Sequence, residues 1–325
     1  MTGTQGSSVG ASRPDAFSDP LRAACPATCP SIPDERRIGL AHRFVTANGV
    51  RFHVVEAGDP SRPLVLLLHG FPEFWYGWRH QLPALAERFH VVAPDLRGYN
   101  LTEKPPAGYD YRTLITDVPA LIAALGAERA HVVGHDWGGM LAWGAAIFHP
   151  GCVDRLAVLN APHPAAFLRE LQRNPKQLLR SWYISLFQPP ILAEGLLTWG
   201  HGRGTGELLQ AAASRPGIFS QSDLAAYRRA ICRPGAAHAT LAYYRALWRT
   251  LGWWPIGQVP PVAVETLLIW GLQDVALEAS LAEDLQAWVP RLRVEHVSEA
   301  GHWVQHEAPA QVNEALLRHL GAEPA

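Results

Sequence analysis

The chain has 325 residues, of which 48% are hydrophobic and 18% charged, with a net charge of -1 and a sequence pI near 7.0. That balance supplies no basic field for nucleic acid and no bias toward a strongly charged partner. No run of about 18 apolar residues occurs, so no membrane-spanning helix is expected.

Residues 1–37 are rich in Gly, Ser and Pro and carry no apolar period, which reads as a flexible N-terminal arm. The arm shows no charged region followed by an apolar one, so no secretory signal is expected. Arg36-Arg37 precede only Ile38 to Ala41 before His42, too short a run for twin-arginine export. Cys25 and Cys29 have no second Cys/His pair nearby, so a loose tail is the better reading than a metal site. With Cys152 and Cys232 they make four scattered cysteines, which fits a reducing cytoplasm.

The fold proper begins near Phe44. Phe44-Val45, Asn48-Gly49 and then Val50 to Val55 spell a β-hairpin around an Asn-Gly turn. Leu64 to Leu68 is a continuous apolar run, as in a strand buried on both faces of a parallel sheet. Val91 to Ala93 is a second short strand. Leu114, Val118, Leu121, Ile122 and Leu125 have helical spacing, and Pro119 inside that pattern implies a late start or a kink. Val132-Val133, Leu156 to Leu159, Leu267 to Trp270 and Arg293 to Val297 read as further strands. Strands alternating with helical runs indicate an α/β fold with a mostly parallel central sheet. Between Pro162 and Pro260 the strand signals stop and helix-like stretches with Trp182, Trp199, Trp248, Trp253 and Trp254 follow. The expected organisation is an α/β core over residues 38–162 and 261–325, with a helical cap domain inserted over 163–260.

The core assignment rests on Gly134-His135-Asp136-Trp137-Gly138, between the strand at Val132-Val133 and a helical run from Gly139 to Phe148. A strand turning sharply into a helix around G-x-nucleophile-x-G is the nucleophile elbow of the α/β-hydrolase fold. Serine usually holds the middle position; here it is Asp136, so attack by a carboxylate would form an ester on the enzyme. An ordinary helix-capping Asp is the plainer alternative, but the glycines around it suit a tight turn better. In the chain order of this fold, Asp274 after the strand at Leu267 to Trp270 is the charge-relay acid and His302 after the last strand the general base. His135 adjoins Asp136, but neighbouring side chains on a sharp turn diverge. His302 and His306 are spaced i, i+4, yet a metal would need a third ligand that the sequence does not offer. His69-Gly70-Phe71-Pro72 follows the strand Leu64 to Leu68, and the amides of Phe71 and Trp137 would form an oxyanion hole. A cis bond at Pro72 would suit that turn.

The segments His69-Gly70-Phe71-Pro72-Glu73-Phe74-Trp75-Tyr76-Gly77-Trp78-Arg79 and His135-Asp136-Trp137-Gly138-Gly139-Met140 resemble those of the soluble epoxide hydrolases of the α/β-hydrolase superfamily. So do Asp95-Leu96-Arg97-Gly98-Tyr99 and Gly301-His302-Trp303, and the likeness runs from about Phe44 to the C-terminus. The resemblance implies opening of a small, neutral, apolar epoxide to a vicinal diol through an aspartyl ester, with no metal or organic cofactor. It implies two cap tyrosines that donate to the epoxide oxygen. The segment Trp182 to Gln188 assigns the first to Tyr183, and Ala242 to Arg245 assigns the second to Tyr244 rather than Tyr243. Phe71, Pro72, Trp137 and Trp303 would contact the substrate.

A haloalkane dehalogenase shares the Asp and His, but its halide cradle often has Asn where this chain has Phe71. A fluoroacetate-type dehalogenase needs cations for the substrate carboxylate, and no Arg follows Trp137-Gly138-Gly139. A non-catalytic binding protein with the same pocket need not retain all five site residues. The sequence leaves open a homo-oligomer, the preferred epoxide and its stereochemistry.

Overall fold

The computed structural model describes residues 38–250 and 259–321, without the side chains of 248–250. The N-terminal arm, the cysteine pair within it, Trp253 and Trp254 lie outside the described residues, as does the side chain of Trp248.

The hairpin forms as expected. Strand β1 (Ala41–Ala47) pairs antiparallel with β2 (Val50–Ala57), with Ala47 opposite Val50. Asn48 and Gly49 both have positive φ, 46° and 72°, the conformation a tight two-residue hairpin requires. Then come β3 (Leu64–Leu68), α1 (Gln81–Ala86), β4 (His90–Pro94), α2 (Tyr111–Ala124), β5 (Ala130–His135), α3 (Trp137–Phe148) and β6 (Val153–Leu159). The helical segments that follow are α4 (Pro164–Arg173), α5 (Pro175–Arg180), α6 (Trp182–Leu186), α7 (Leu192–Ala211, broken by non-helical backbone from Trp199 to Gly202), α8 (Gln221–Ile231) and α9 (Ala236–Thr250). The chain returns to the sheet with β7 (Glu265–Gly271) and β8 (Leu292–Val297), then ends in α10 (Val304–Glu307) and α11 (Pro309–His319).

The sheet order is β1-β2-β4-β3-β5-β6-β7-β8, with the β1–β2 and β2–β4 pairs antiparallel and every neighbouring pair from β4 onward parallel. The apolar run of β3 is explained by its two-sided burial. Leu64, Leu66 and Leu68 pack into one hydrophobic cluster with Leu114, Val118 and Leu121 of α2, while Val65 and Leu67 pack into a second with Leu82 and Leu85 of α1. Helix α2 does not start late: it begins at Tyr111, eight residues before Pro119, and Asp110 caps it by accepting from the Thr113 amide. Pro119 stands mid-helix, where it lacks the N–H that would reach back to residue 115. No helix among the described residues is long and apolar enough to cross a membrane.

A parallel sheet brings the carboxyl ends of its strands to one edge, where ligands bind in open α/β folds. The loops after β3, β5, β6, β7 and β8 therefore meet there, although residues 69 and 302 are far apart in the chain.

Candidate active site

Asp136 stands between β5 and α3 with φ 48° and ψ -119°, a strained backbone for a non-glycine residue. Its neighbours make the turn possible. A Cβ on Gly138 would lie 2.0 Å from the Leu68 carbonyl oxygen, and one on Gly70 would lie 2.5 Å from the Asp136 Cβ. The side chain of Asp136 makes no capping bond to its own helix. Instead Oδ1 accepts a hydrogen bond from the Phe71 amide at 2.7 Å. The Phe71–Pro72 bond is cis. His69 holds the same loop: its Nδ1 donates to the Gly70 carbonyl at 2.9 Å, and its Nε2 accepts from the Leu96 amide at 3.0 Å.

His302 reaches both carboxylates. Its Nδ1 donates to Asp274 Oδ2 at 2.8 Å, and Nε2 lies 3.8 Å from Asp136 Oδ2. Asp274 is buried and accepts further bonds from Asn160 Nδ2 at 2.8 Å and from the amides of Ala276 and Leu277. Burial pushes the Asp274 carboxyl up, but His302 and these donors outweigh it and hold the pKa below its ordinary value. Burial likewise pulls His302 down, and the opposing charge of Asp274, its hydrogen bond and then Asp136 raise it to about 9.

Tyr183 on α6 and Tyr244 on α9 stand across from the elbow. Their ring centroids are 6.1 Å apart at 81°, and Tyr244 packs edge-on against Phe71 and Trp137. Burial, reinforced by the nearby Asp136 charge, raises both phenols above their ordinary pKa, so both keep their protons at neutral pH. Tyr243 points elsewhere: its hydroxyl donates to the Arg97 carbonyl at 2.8 Å. That divergence follows from the 100° step between successive helical residues.

A cavity of about 430 Å³ is lined by Phe71, Asp136, Tyr183, Tyr244, His302 and Trp303, among others. A second of about 50 Å³ shares Asp136, Tyr183 and Tyr244 and adds Trp137. Pro72, expected to contact substrate, is buried and lines neither; the ring of its neighbour Phe71 forms the wall. Among the described residues no group of three His, Cys, Asp or Glu could hold a metal ion. His306 instead turns to Glu73, with Nε2 to Oε1 2.7 Å.

Two features escape sequence reasoning. Asn160, with φ 37° at the end of β6, ties Asp274 through Nδ2 and takes the Gly271 amide on Oδ1 at 2.8 Å. Glu73, fully buried, receives His135, His306, Gln305 and the Tyr227 hydroxyl. His135 bridges from there to the His302 carbonyl at 2.9 Å. The one available signal was a charged residue, Glu73, amid the apolar aromatics of its segment.

The sheet order and a carboxylate on a strained elbow, faced by a His–Asp pair, define an α/β-hydrolase. Residues 63–309 match the alpha/beta hydrolase fold family. Human epoxide hydrolase 4 is 38% identical, over 97% of this chain and 87% of that protein, and epoxide hydrolase 3 of Xenopus tropicalis is 40% identical, over 84% and 75%. An epoxide hydrolase of Bacillus megaterium, solved with an inhibitor, superposes with a TM-score of 0.80 at 32% identity, covering 86% of this chain and 99% of that one. The chain belongs to the epoxide hydrolase family of the α/β-hydrolase superfamily.

Proposed function

We propose that the chain is an epoxide hydrolase that works through an ester on Asp136. One observation carries this reading: two protonated phenols, Tyr183 and Tyr244, share their cavities with a carboxylate that has a His–Asp pair behind it. An Asp136 oxygen attacks an epoxide carbon and the ring C–O bond breaks. The oxygen that departs takes a proton from the tyrosine pair, which stabilises charge where it develops. Asp136 is now a neutral ester, so His302 loses one of the charges that raise its pKa. More of it is then unprotonated, and so able to take a proton from water at the step that needs a base. Water, deprotonated by His302 with Asp274 steadying the imidazolium, attacks the ester carbonyl. The amides of Phe71 and Trp137 hold the oxyanion, and its collapse breaks the ester C–O bond. The departing alkoxide takes the proton from His302 to leave as the diol. The proton of the newly formed Asp136 acid returns to the tyrosine pair, restoring the carboxylate.

A halide needs no proton on departure, so two phenols aimed at the nucleophile favour the epoxide over the haloalkane reading. The helices between β6 and β7 act here as a cap domain, residues 163–260, which brings both tyrosines over the core. A cytoplasmic setting fits the two described cysteines, Cys152 and Cys232, which are free thiols. The reading is tested by one turnover of styrene oxide in heavy-oxygen water. Digestion and mass spectrometry should find the label in the Asp136 carboxylate. An unlabelled Asp136 beside labelled diol would exclude the ester.

A further inference from the structure

Glu307 ends α10 and is only 5% exposed, yet no step of the proposed reaction uses it. Its carboxylate accepts four hydrogen bonds. Oε1 takes the Trp303 amide at 3.2 Å. Oε2 takes the Gly301 amide at 2.9 Å, the Ser214 amide at 3.2 Å and the Ser214 hydroxyl. Gly301 and Trp303 flank His302, so one carboxylate brackets the main chain of the base. Ser214 lies in the loop between α7 and α8, so the same carboxylate fastens that loop to the base. The loop grips a second way: Arg215 donates to the carbonyls of Glu299 at 3.2 Å and Glu307 at 2.8 Å.

Every partner of this carboxylate is a donor, and only a group with acceptors on both oxygens serves them all. A glutamine there would turn its NH2 toward one set of donors and leave an amide beside His302 unmatched. The packing is close: a Cβ on Gly301 would lie 3.4 Å from Glu307 Oε1 and 3.4 Å from Ser214 Cβ. His302 has two places to keep at once, Nδ1 at 2.8 Å from Asp274 and Nε2 beside Asp136 at 3.8 Å. A displacement of about 1 Å at a reacting group costs roughly 100-fold in rate.

We infer that Glu307 is a positioning residue for the general base, and that Ser214 makes its hold part of the contact between the helical insertion and the core. The inference rests on the ester reading. Glu307 acts through His302 alone, so it governs hydrolysis of the ester. The attack by Asp136 needs no base and is left untouched. A contact that only supports the fold would not separate the two steps.

The test mixes the full-length enzyme with styrene oxide, quenches at intervals and follows the ester by intact-mass spectrometry. Glu307→Gln is expected to slow ester decay by roughly 10- to 100-fold while formation stays within about 2-fold of wild type, so that ester accumulates. Ser214→Ala removes one donor to the carboxylate and should slow decay by about 3-fold or more, with formation again unmoved. Equal slowing of both steps in Glu307→Gln would overturn the inference, since a structural role alone predicts it. So would unaltered decay in a Glu307→Gln enzyme that folds by circular dichroism. If that variant does not fold, Ser214→Ala decides: selective slowing of decay supports the inference and its absence overturns it. If neither wild type nor variants ever carry the adduct, the ester reading falls and takes this inference with it. Ester that forms and decays alike in all three removes the inference alone.

Discussion

In the proposed cycle Asp136 would attack without a base, so the demanding residue of this site would be His302. Asp136→Ala is expected to remove all measurable diol formation. His302→Gln should stop the cycle after ester formation, and intact-mass spectrometry after mixing with styrene oxide should find one substrate mass added. Tyr183→Phe combined with Tyr244→Phe should lower ester formation by at least ~100-fold, because both donors to the departing oxygen are lost. The His302 pKa gives a pH prediction. Its folded value of about 9 lies above the ordinary 6.5, so the pair with Asp274 stabilises the fold fully below about pH 6.5. That contribution is lost as pH rises through 9. Lys104, pulled down to about 8 by burial, acts in the opposite sense over part of this range. The readout is therefore a difference: melting temperature from pH 6 to 10 should fall more for the wild type than for Asp274→Asn. Parallel curves would contradict the raised pKa. These residues were legible one at a time, because each sits in a short motif at a strand end. Asn160 was not. It touches Asp274 and Gly271 across more than a hundred residues, and a lone Asn after a strand looks like any turn.

Among the elements, the elbow between β5 and α3 shows most directly how glycine permits a site. Gly138→Ala would drive a methyl group into the Leu68 carbonyl at 2.0 Å. Backbone cannot yield there without moving β3, so the loss should reach about 3 kcal/mol in denaturant titration. Gly195→Ala is the contrasting case. Gly195 lies on the exposed face of α7, and nothing stands within 4 Å of its added Cβ. That substitution should stabilise by about 0.5–1 kcal/mol. The expected strands all appear, and in β3, β4 and β7 two-sided burial leaves a nearly unbroken buried stretch, whereas β8 (LRVEHV) is only partly buried. Helix α2 was legible through its spacing, whereas its tolerance of Pro119 was not. The helix is held by its apolar face against the sheet, and that packing is invisible in local propensity.

At the scale of the whole molecule, a buried polar network joins the sheet edge to the helical insertion. Glu73 from the loop after β3 receives His135 from the elbow, His306 from α10 and Tyr227 from α8. Arg79 links His306 at 3.0 Å to Asp223 of α8 at 3.3 Å. Burial works against the Glu73 charge, but the hydrogen bonds from His135 and His306 hold its pKa well below the ordinary 4.5. Its stabilisation is therefore present above about pH 4.5 and is lost as pH falls further. Glu73→Gln leaves buried donors badly matched and should cost about 3 kcal/mol or more at pH 7 in denaturant titration. It should also flatten the acid limb of the stability curve. An unchanged midpoint would mean that the network contributes nothing net to the fold.

Local rules decide much of this protein. Period and run length marked the strands, small residues marked the elbow, and chain order ordered Asp136, Asp274 and His302. Such features survive in one dimension because each depends on neighbours within a few residues. The distances between them did not. Whether His302 meets both carboxylates and whether the two phenols share a cavity with Asp136 depend on how β5, β7, β8, α6 and α9 pack together. Sequence distance carries no record of those contacts. The α/β-hydrolase fold and the carboxylate at its elbow were thus written along the chain, and the geometry that surrounds that carboxylate was decided by the tertiary structure alone.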